Sequence, residues 1–267
     1  MSKTRWTIGI DEVGRGSLAG PVVVCALAIP AHTSLRNTHP LSLRGAAATK
    51  QSLPLRDSKK LSASQRERWA AWVKTHPHIR YAVARVYPRG IERLNISQAA
   101  NLAATRACVR LCAQLSLRGR RTKQSYNNVV GLLRFARNDG SSPRVNVLLD
   151  GGLYLRVNPR CYPHLRHGFG GQARLSASTF FRVNPRCYPR LSASTIIKGD
   201  EKYIAIKLAS IVAKVTRDKF MNKLHARYPQ YGFSIHKGYG TKRHIAAIKK
   251  YGPSEIHRAT FVKNFVA

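Results

Sequence analysis

The sequence predicts an α/β domain, a sheet covered by helices on both faces. Three observations predict it. Short β-rich apolar runs alternate along the chain with longer segments of helical spacing. A Gly-rich turn joins the first two runs, as it would two adjacent strands. The rare acidic residues also cluster where the apolar runs end.

Taken in order, Trp6–Asp11 and Val22–Ile29 read as the first two strands. His78–Tyr87 is a third, and Asn95–Leu115 is an Ala-rich helix that Asn95 or Ser97 would cap. Val145–Leu149 is a short apolar strand ending at Asp150-Gly151. Thr195–Ile197 is another, ending in Lys198-Gly199-Asp200. Tyr203–Tyr228 has helical spacing, apolar at Ile204, Leu208, Ile211, Val212 and Val215. A shorter helix, Thr241–Tyr251, follows a turn rich in Gly, His and Lys.

The chain has 267 residues, 43% of them hydrophobic, which is enough to bury a real core and argues against wholesale disorder. Its longest apolar run, Val22–Ile29, is far shorter than the roughly 20 residues of a membrane-crossing helix. No secretory leader is expected, because the first apolar stretch runs straight into Asp11 and Glu12. Five cysteines without a regular framework point to a reducing cytoplasm. With 47 Lys and Arg against 11 Asp and Glu, the net charge of +36 implies a polyanionic partner, most simply nucleic acid.

Half of that excess sits in three stretches, 31–56, 116–149 and 151–199, that differ in kind from the rest. The octapeptide RVNPRCYP occurs at Arg156–Pro163 and again at Arg182–Pro189, with LSAS following each copy, and SLRG occurs at Ser42–Gly45 and Ser116–Gly119. Two Pro- and Arg-rich copies do not make a stacked repeat architecture. The stretches at about 31–54, 119–143 and 155–193 are therefore expected to be insertions forming basic loops on a single domain spanning 1–267. The other half of the charge lies outside 31–56, 116–149 and 151–199, so the nucleic-acid reading does not depend on these stretches.

In so basic a chain the positions of the acids carry information. Asp11 and Glu12 close the first strand, Asp150 closes the fourth and Asp200 follows the fifth. Carboxylates at the ends of buried strands are costly unless paired or metal-bound, and strand ends are where α/β sheets place their sites. Converging there, they make an oxygen cage suited to Mg²⁺ or Mn²⁺, and two such ions are a usual means of cutting a phosphodiester. Neighbours on a regular strand point to opposite faces, so Glu12 is expected in the turn rather than on the strand. Gly14-Arg15-Gly16 adds backbone N–H groups and a guanidinium that can fork onto phosphate, although alone it reads as a tight loop.

In sequence order, these motifs resemble ribonuclease HII, the bacterial type 2 ribonuclease H. They are GIDEVGRG (9–16) with LAGP (18–21), DSKKLS (57–62), Asp150-Gly151, Lys198-Gly199-Asp200, ASIVAKVTRD (209–218), YPQYGF (228–233), HKGYGT (236–241) and His257-Arg258. The resemblance covers the chain outside the three stretches. It implies a ribonuclease H-like fold, a mixed central sheet with helices on both faces and a C-terminal helical extension over about 219–267. It implies an endonuclease of the cytoplasm that hydrolyses the RNA strand of RNA–DNA hybrids and cuts 5′ to single ribonucleotides embedded in duplex DNA. The products would be a 3′-hydroxyl and a 5′-phosphate. By the same resemblance, Asp11, Glu12, Asp150 and Asp200 are the catalytic, metal-binding tetrad for Mn²⁺ or Mg²⁺. Gly14, Arg15 and Gly16 sense the 2′-hydroxyl, Tyr239 stacks on the sugar at the RNA–DNA junction, and Lys59 and Lys237 contact phosphates. No obligate protein partner is implied, and a monomer is expected.

Other residues have plainer readings. Asp218 is expected in a helix salt bridge with Arg217 beside it, and His236, His244 and His257 as hydrogen-bonded structural histidines. Cys108 and Cys112 pack on one helix, and Cys161 and Cys187 do not form a zinc site. The 50-residue separation of Asp150 and Asp200 exceeds what the resemblance leads one to expect. The competing reading is therefore a relative that binds nucleic acid but does not cut it, its site blocked by the insertions.

Overall fold

The computed structural model describes residues 6–30, 55–116, 145–155 and 191–266. Five strands form one mixed sheet: β1 (Trp6–Val13), β2 (Val22–Pro30), β3 (Arg80–Val86), β4 (Val145–Asp150) and β5 (Leu191–Ile196), in the order β3-β2-β1-β4-β5. The β1–β2 and β2–β3 pairs are antiparallel; β1–β4 and β4–β5 are parallel. β1 and β4 therefore end side by side, with Ile10 opposite Leu149, so that Asp11 and Asp150 follow on adjacent strands.

The alternation of side chains along β2 builds two cores. Val22, Val24, Ala26 and Ala28 face α3 (Ile96–Ser116), whose Ala99, Ala100, Ala103, Ala104 and Ala107 let the helix lie close to the sheet. Cys25, Leu27 and Ile29 face the other side, against α1 (Ala63–Thr75) and the long helix α5 (Ile204–Arg227). α1 begins in a capping box, Ser62 with Gln65, and its Trp69 and Val73 are buried under the sheet. Short helices α2 (Pro88–Leu94) and α4 (Gly199–Lys202) precede α3 and α5. Beyond α5 come a 3₁₀ turn at Pro229–Tyr231, α6 (Phe233–His236), α7 (Lys242–Tyr251) and α8 (Ala259–Val262). Two small clusters join this C-terminal part to the loop after β1. One holds Ala19, Met221, Tyr231 and Phe233; the other holds Leu18, Ile248 and Val262.

The structure corrects several sequence expectations. β1 continues through Glu12, which pairs with Val24, so Glu12 is a strand residue and not a turn residue. β5 starts at Leu191, four residues earlier than expected, because Ser192 to Thr195 hydrogen-bond along β4 despite carrying little apolar signal. Residues 191–193, assigned to the third insertion, therefore belong to the sheet. Otherwise the three suspected insertions lie outside the described residues, apart from Leu155, which packs at the edge of the α3-side core. The proposed start of the C-terminal extension at 219 falls inside the unbroken α5, and Ile204, read as part of its apolar face, is 45% exposed.

Candidate active site

The strand pairing solves the problem of two adjacent acids. Asp11 points to the α5 side, where its carboxylate is hydrogen-bonded to Ser210 and accepts from the Glu12 amide at 2.7 Å. Glu12 points to the α3 side, where Oε1 accepts from Arg15 Nη1 at 3.1 Å and Arg15 Nη2 donates to Ser97 Oγ at 3.2 Å. The two carboxylates thus straddle the end of β1, with Asp150 beside them at the end of β4. Asp150 Oδ1 accepts from the Gly199 amide at 2.8 Å, which brings α4 and its Asp200 to the same rim. Gly199 permits that approach: a Cβ there would stand 2.5 Å from Ile206 Cδ1 and 3.2 Å from Asp150 Oδ1. Lys59 Nζ lies 3.6 Å from Asp200 Oδ2.

Crowding of like charge is visible in the titration of these groups. Burial first, then the Glu12 charge, pushes the Asp11 carboxyl well above its ordinary range, and Asp150 adds to this against the Ser210 hydrogen bond. Burial also raises Glu12, and Asp150 adds to it; the charge and hydrogen bond of Arg15 only partly oppose this. Burial pulls Lys59 down, but Asp200, Asp57 and Asp11 more than offset it and hold the ammonium above its usual value.

Among the described residues, no group of three or more His, Cys, Asp or Glu side chains is already closed into an ion-holding cluster. The four carboxylates share a rim. Their chemistry nonetheless fits a hard divalent cation. The donors are all oxygens, burial and the Asp150 charge raise both Asp11 and Glu12, and the buried Glu12 Oε2 has no hydrogen-bond partner.

The Gly14-Arg15-Gly16 turn is held from below by two arginines with no exposed surface, Arg217 and Arg258. Arg258 donates to the carbonyls of Gly14 (2.6 Å), Arg15 (2.7 Å) and Gly20 (3.0 and 3.1 Å). Arg217 donates to Pro21 O (3.1 Å), Ala19 O (3.1 Å), Ser17 Oγ (2.8 Å) and Lys237 O (2.9 Å). Burial, and then the Arg217 charge, lowers Arg258 to about 9, so it stays cationic at pH 7. Gly14, at φ +89°, takes a conformation that favours glycine, and a Cβ there would meet Arg217 Nε at 2.3 Å.

Tyr239 is joined to this turn through a bridge with Ser17, and its ring lies 5.2 Å from the Arg217 guanidinium and 5.7 Å from Lys214 Nζ. Lys237 is engaged elsewhere: Nζ donates to Asn222 Oδ1 at 2.6 Å and to Ser234 O at 2.5 Å. Asp218 pairs with Lys214 (2.9 Å) and stands 4.0 Å from Arg66, while Arg217 turns to main-chain carbonyls instead. The three histidines are buried and hydrogen-bonded, and Cys108 and Cys112 pack on α3. Cys161 and Cys187 lie outside the described residues.

Sequence reasoning missed Ser210, Ser97 and the two arginine clamps. Ser210 was findable in principle, since it lies one helical turn past Ile206 on the face of α5 that crosses β1. The clamping roles of Arg217 and Arg258 carry no local signal, because most of their partners, the Ser17 hydroxyl and carbonyls between Gly14 and Pro21, lie 196 to 244 residues away along the chain.

Residues 8–118 and 183–264 match the family described as Ribonuclease HII. The ribonuclease HII of Ruminiclostridium cellulolyticum is 33% identical over 259 residues, covering 97% of this chain and 70% of that protein. Among solved structures, a chain of the PCNA:RNase HII complex from Archaeoglobus fulgidus superposes with a TM-score of 0.57 at 20% identity, covering 97% of this chain and 96% of that one. Bst-RNase HIII in complex with Mn²⁺ superposes at 0.50 and 16% identity, covering 94% and 64%. The sheet and its flanking helices are thus of the ribonuclease H-like kind, and no helix among the described residues is long and apolar enough to cross a membrane. The chain belongs to the ribonuclease HII family and is a ribonuclease H-type endonuclease.

Proposed function

We propose that this enzyme hydrolyses the RNA strand of RNA–DNA hybrids and cuts duplex DNA on the 5′ side of single embedded ribonucleotides, leaving a 3′-hydroxyl and a 5′-phosphate. The observation that carries this is the meeting of Asp11, Glu12 and Asp150 at the ends of adjacent parallel strands, with a buried Glu12 oxygen left without a partner. Asp11, Glu12, Asp150 and Asp200 would hold Mg²⁺ or Mn²⁺. Bound there, such ions supply Lewis acidity for activating water and stabilising the leaving oxygen.

This chain's own residues do the positioning. With the Gly14 and Arg15 carbonyls held inward by Arg258, the N–H edge of the turn and the exposed Gly16 face a substrate strand. Arg15, braced by Glu12 and Ser97, brings a guanidinium to the same edge. Tyr239, tied to Ser17, offers a ring to the sugar next to the scissile junction, so the 2′-hydroxyl sensor and the stacking group form one unit. Lys59 is 3.6 Å from Asp200 and mostly exposed, placed to take a phosphate. The ammonium of Lys237 would have to leave Asn222 and Ser234 to do the same.

The family match leaves 119–182 uncovered, which supports reading the second stretch and most of the third as additions to one catalytic domain. The 31–54 stretch lies within the matched span 8–118. The enzyme would work in the cytoplasm. Substitution of Asp150 by Asn tests the assignment of the carboxylates: cleavage should be lost while duplex binding persists, and unchanged cleavage would refute it.

A further inference from the structure

Behind Tyr239 the three histidines make a chain of hydrogen bonds whose direction can be read from its ends. The Ser254 amide can only donate, and it donates to His257 Nδ1 at 2.9 Å. His257 therefore carries its proton on Nε2, which stands 3.1 Å from His244 Nε2. At the other end the Tyr239 carbonyl can only accept, and it lies 2.9 Å from His244 Nδ1. His244 must therefore carry its proton on Nδ1 and accept on Nε2. The two ends demand the same arrangement independently, so every member is satisfied. His236 obeys the same logic: the Gly238 amide donates to its Nδ1 at 3.2 Å, leaving Nε2 to donate to Tyr231 O at 2.7 Å.

We propose that His257 and His244 are positioning residues for ribonucleotide recognition, a neutral hydrogen-bonded relay that sets the main chain of Tyr239 and so the placement of its ring. This rests on the reading of Tyr239 as the junction-contacting residue. The relay exists only while both imidazoles are neutral, because a proton added to His244 Nε2 would face the Nε2–H of His257 across 3.1 Å. Its surroundings keep it neutral. His244 stacks on His236 with centroids 4.3 Å apart, and the Tyr231 ring stands 4.7 Å from His257, with Phe233 packed against all three. The charges around His236 are those of Arg243, Lys237 and His225, and Glu255 is engaged with Tyr228 and Arg227. Burial, opposed by the hydrogen bond to Tyr239 O and aided by His236 and His257, lowers His244 to about 4; burial, aided by His236, takes His257 to about 4.

The test compares wild type, His244→Leu, His244→Asn and Tyr239→Ala on two substrates, a DNA duplex with one ribonucleotide and a continuous RNA–DNA hybrid, alongside imidazole nitrogen NMR of the wild type. His244→Leu should lower kcat/KM on the single-ribonucleotide duplex by about tenfold, the factor supplied by roughly 1.4 kcal/mol of lost hydrogen bonding, and lower hybrid cleavage much less. Asn keeps an N–H where Nδ1–H was, so His244→Asn should recover most of the loss. The NMR spectrum should show His244 neutral and protonated on Nδ1 at pH 7. If Tyr239→Ala lowers the substrate ratio and His244→Leu leaves it unchanged, the relay is overturned and the Tyr239 reading stands. An unchanged ratio in Tyr239→Ala sinks the Tyr239 reading instead. Should His244→Leu not fold, the Asn variant and the wild-type spectrum decide: a cationic or Nε2-protonated His244 overturns the relay.

Discussion

Arg258 Nη2 donates to the Gly14 carbonyl at 2.6 Å, tying the last turn of the chain to the loop after the first strand across 244 residues. The two glycines of the Gly-Arg-Gly turn give it freedom, and this bond with its neighbours removes that freedom. The expected consequence is that Arg258→Ala strips the Arg15 and Gly20 carbonyls of their guanidinium donors and leaves the Gly14 carbonyl with the Ser17 hydroxyl alone. We expect a loss of about 2–4 kcal/mol of stability in urea unfolding, together with loss of cleavage. Arg258→Lys should recover little, since an ammonium cannot span three carbonyls in a plane as a guanidinium does. Wild-type stability in the Ala variant would show that the clamp is dispensable.

Asp11 and Glu12 predict a conflict between stability and activity. Burial raises both carboxyl groups, with the Glu12 charge adding to Asp11 and the Asp150 charge to both, so ionising them weakens the folded state, and that cost grows as pH rises through the raised values. Asp11→Asn should therefore raise the Tm of metal-free protein at pH 8 while reducing cleavage by at least ~100-fold, beyond what loss of a group behind a metal ligand costs. A lower Tm would mean that Asp11 is held by partners rather than strained.

The histidines predict the opposite pH sign. His244 and His257 have pKa values of about 4 in the fold against an ordinary 6.5, so the folded state binds fewer protons than the unfolded chain. Their contribution to stability is whole above pH 6.5 and is lost as pH falls from there towards 4. Unfolding followed from pH 8 to pH 4 should show this decline, and it should be smaller in His244→Leu, which removes one titrating group. A decline of equal size in the variant would remove the histidines from the account.

Much of this was legible in the sequence because it lay in local patterns. The β2 run from Val22 to Ile29 needs no context, since every residue in it is buried on one face or the other. The strand-end positions of Asp11, Asp150 and Asp200 were readable from the apolar runs before them. The α1 helix is hard to read in the sequence although Ser62 and Gln65 spell out its capping box, because its apolar stripe is narrow beside Gln65, Arg66, Glu67 and Arg68. Strand β5 reads short in the sequence because Ser192, Ala193 and Ser194 look like a turn until β4 pairs with them. Placing Glu12 in the turn rested on a sound rule, side-chain alternation, but drew the wrong consequence. The two acids do diverge, and the site uses both sides of the sheet edge.

Divalent metal should stabilise the protein independently of turnover. Mn²⁺ at about 100 times its dissociation constant adds roughly 2.7 kcal/mol to a fold with one site. The Tm of wild type should therefore rise with Mn²⁺ or Mg²⁺, and that of Asp11→Asn or Asp150→Asn should rise far less. Equal shifts in all three would place the ion away from these carboxylates.

The carboxylate rim, the Gly-Arg-Gly turn and Tyr239 are expected to act as one unit that cuts beside a ribonucleotide. The most direct test is cleavage of a DNA duplex carrying one ribonucleotide, with Mn²⁺ or Mg²⁺, beside an all-DNA duplex and an EDTA-treated sample. A single cut is expected on the 5′ side of the ribonucleotide, with a 3′-hydroxyl and a 5′-phosphate, absent from both controls. Tight binding of the duplex with no cut, or cutting of the all-DNA duplex, would contradict it.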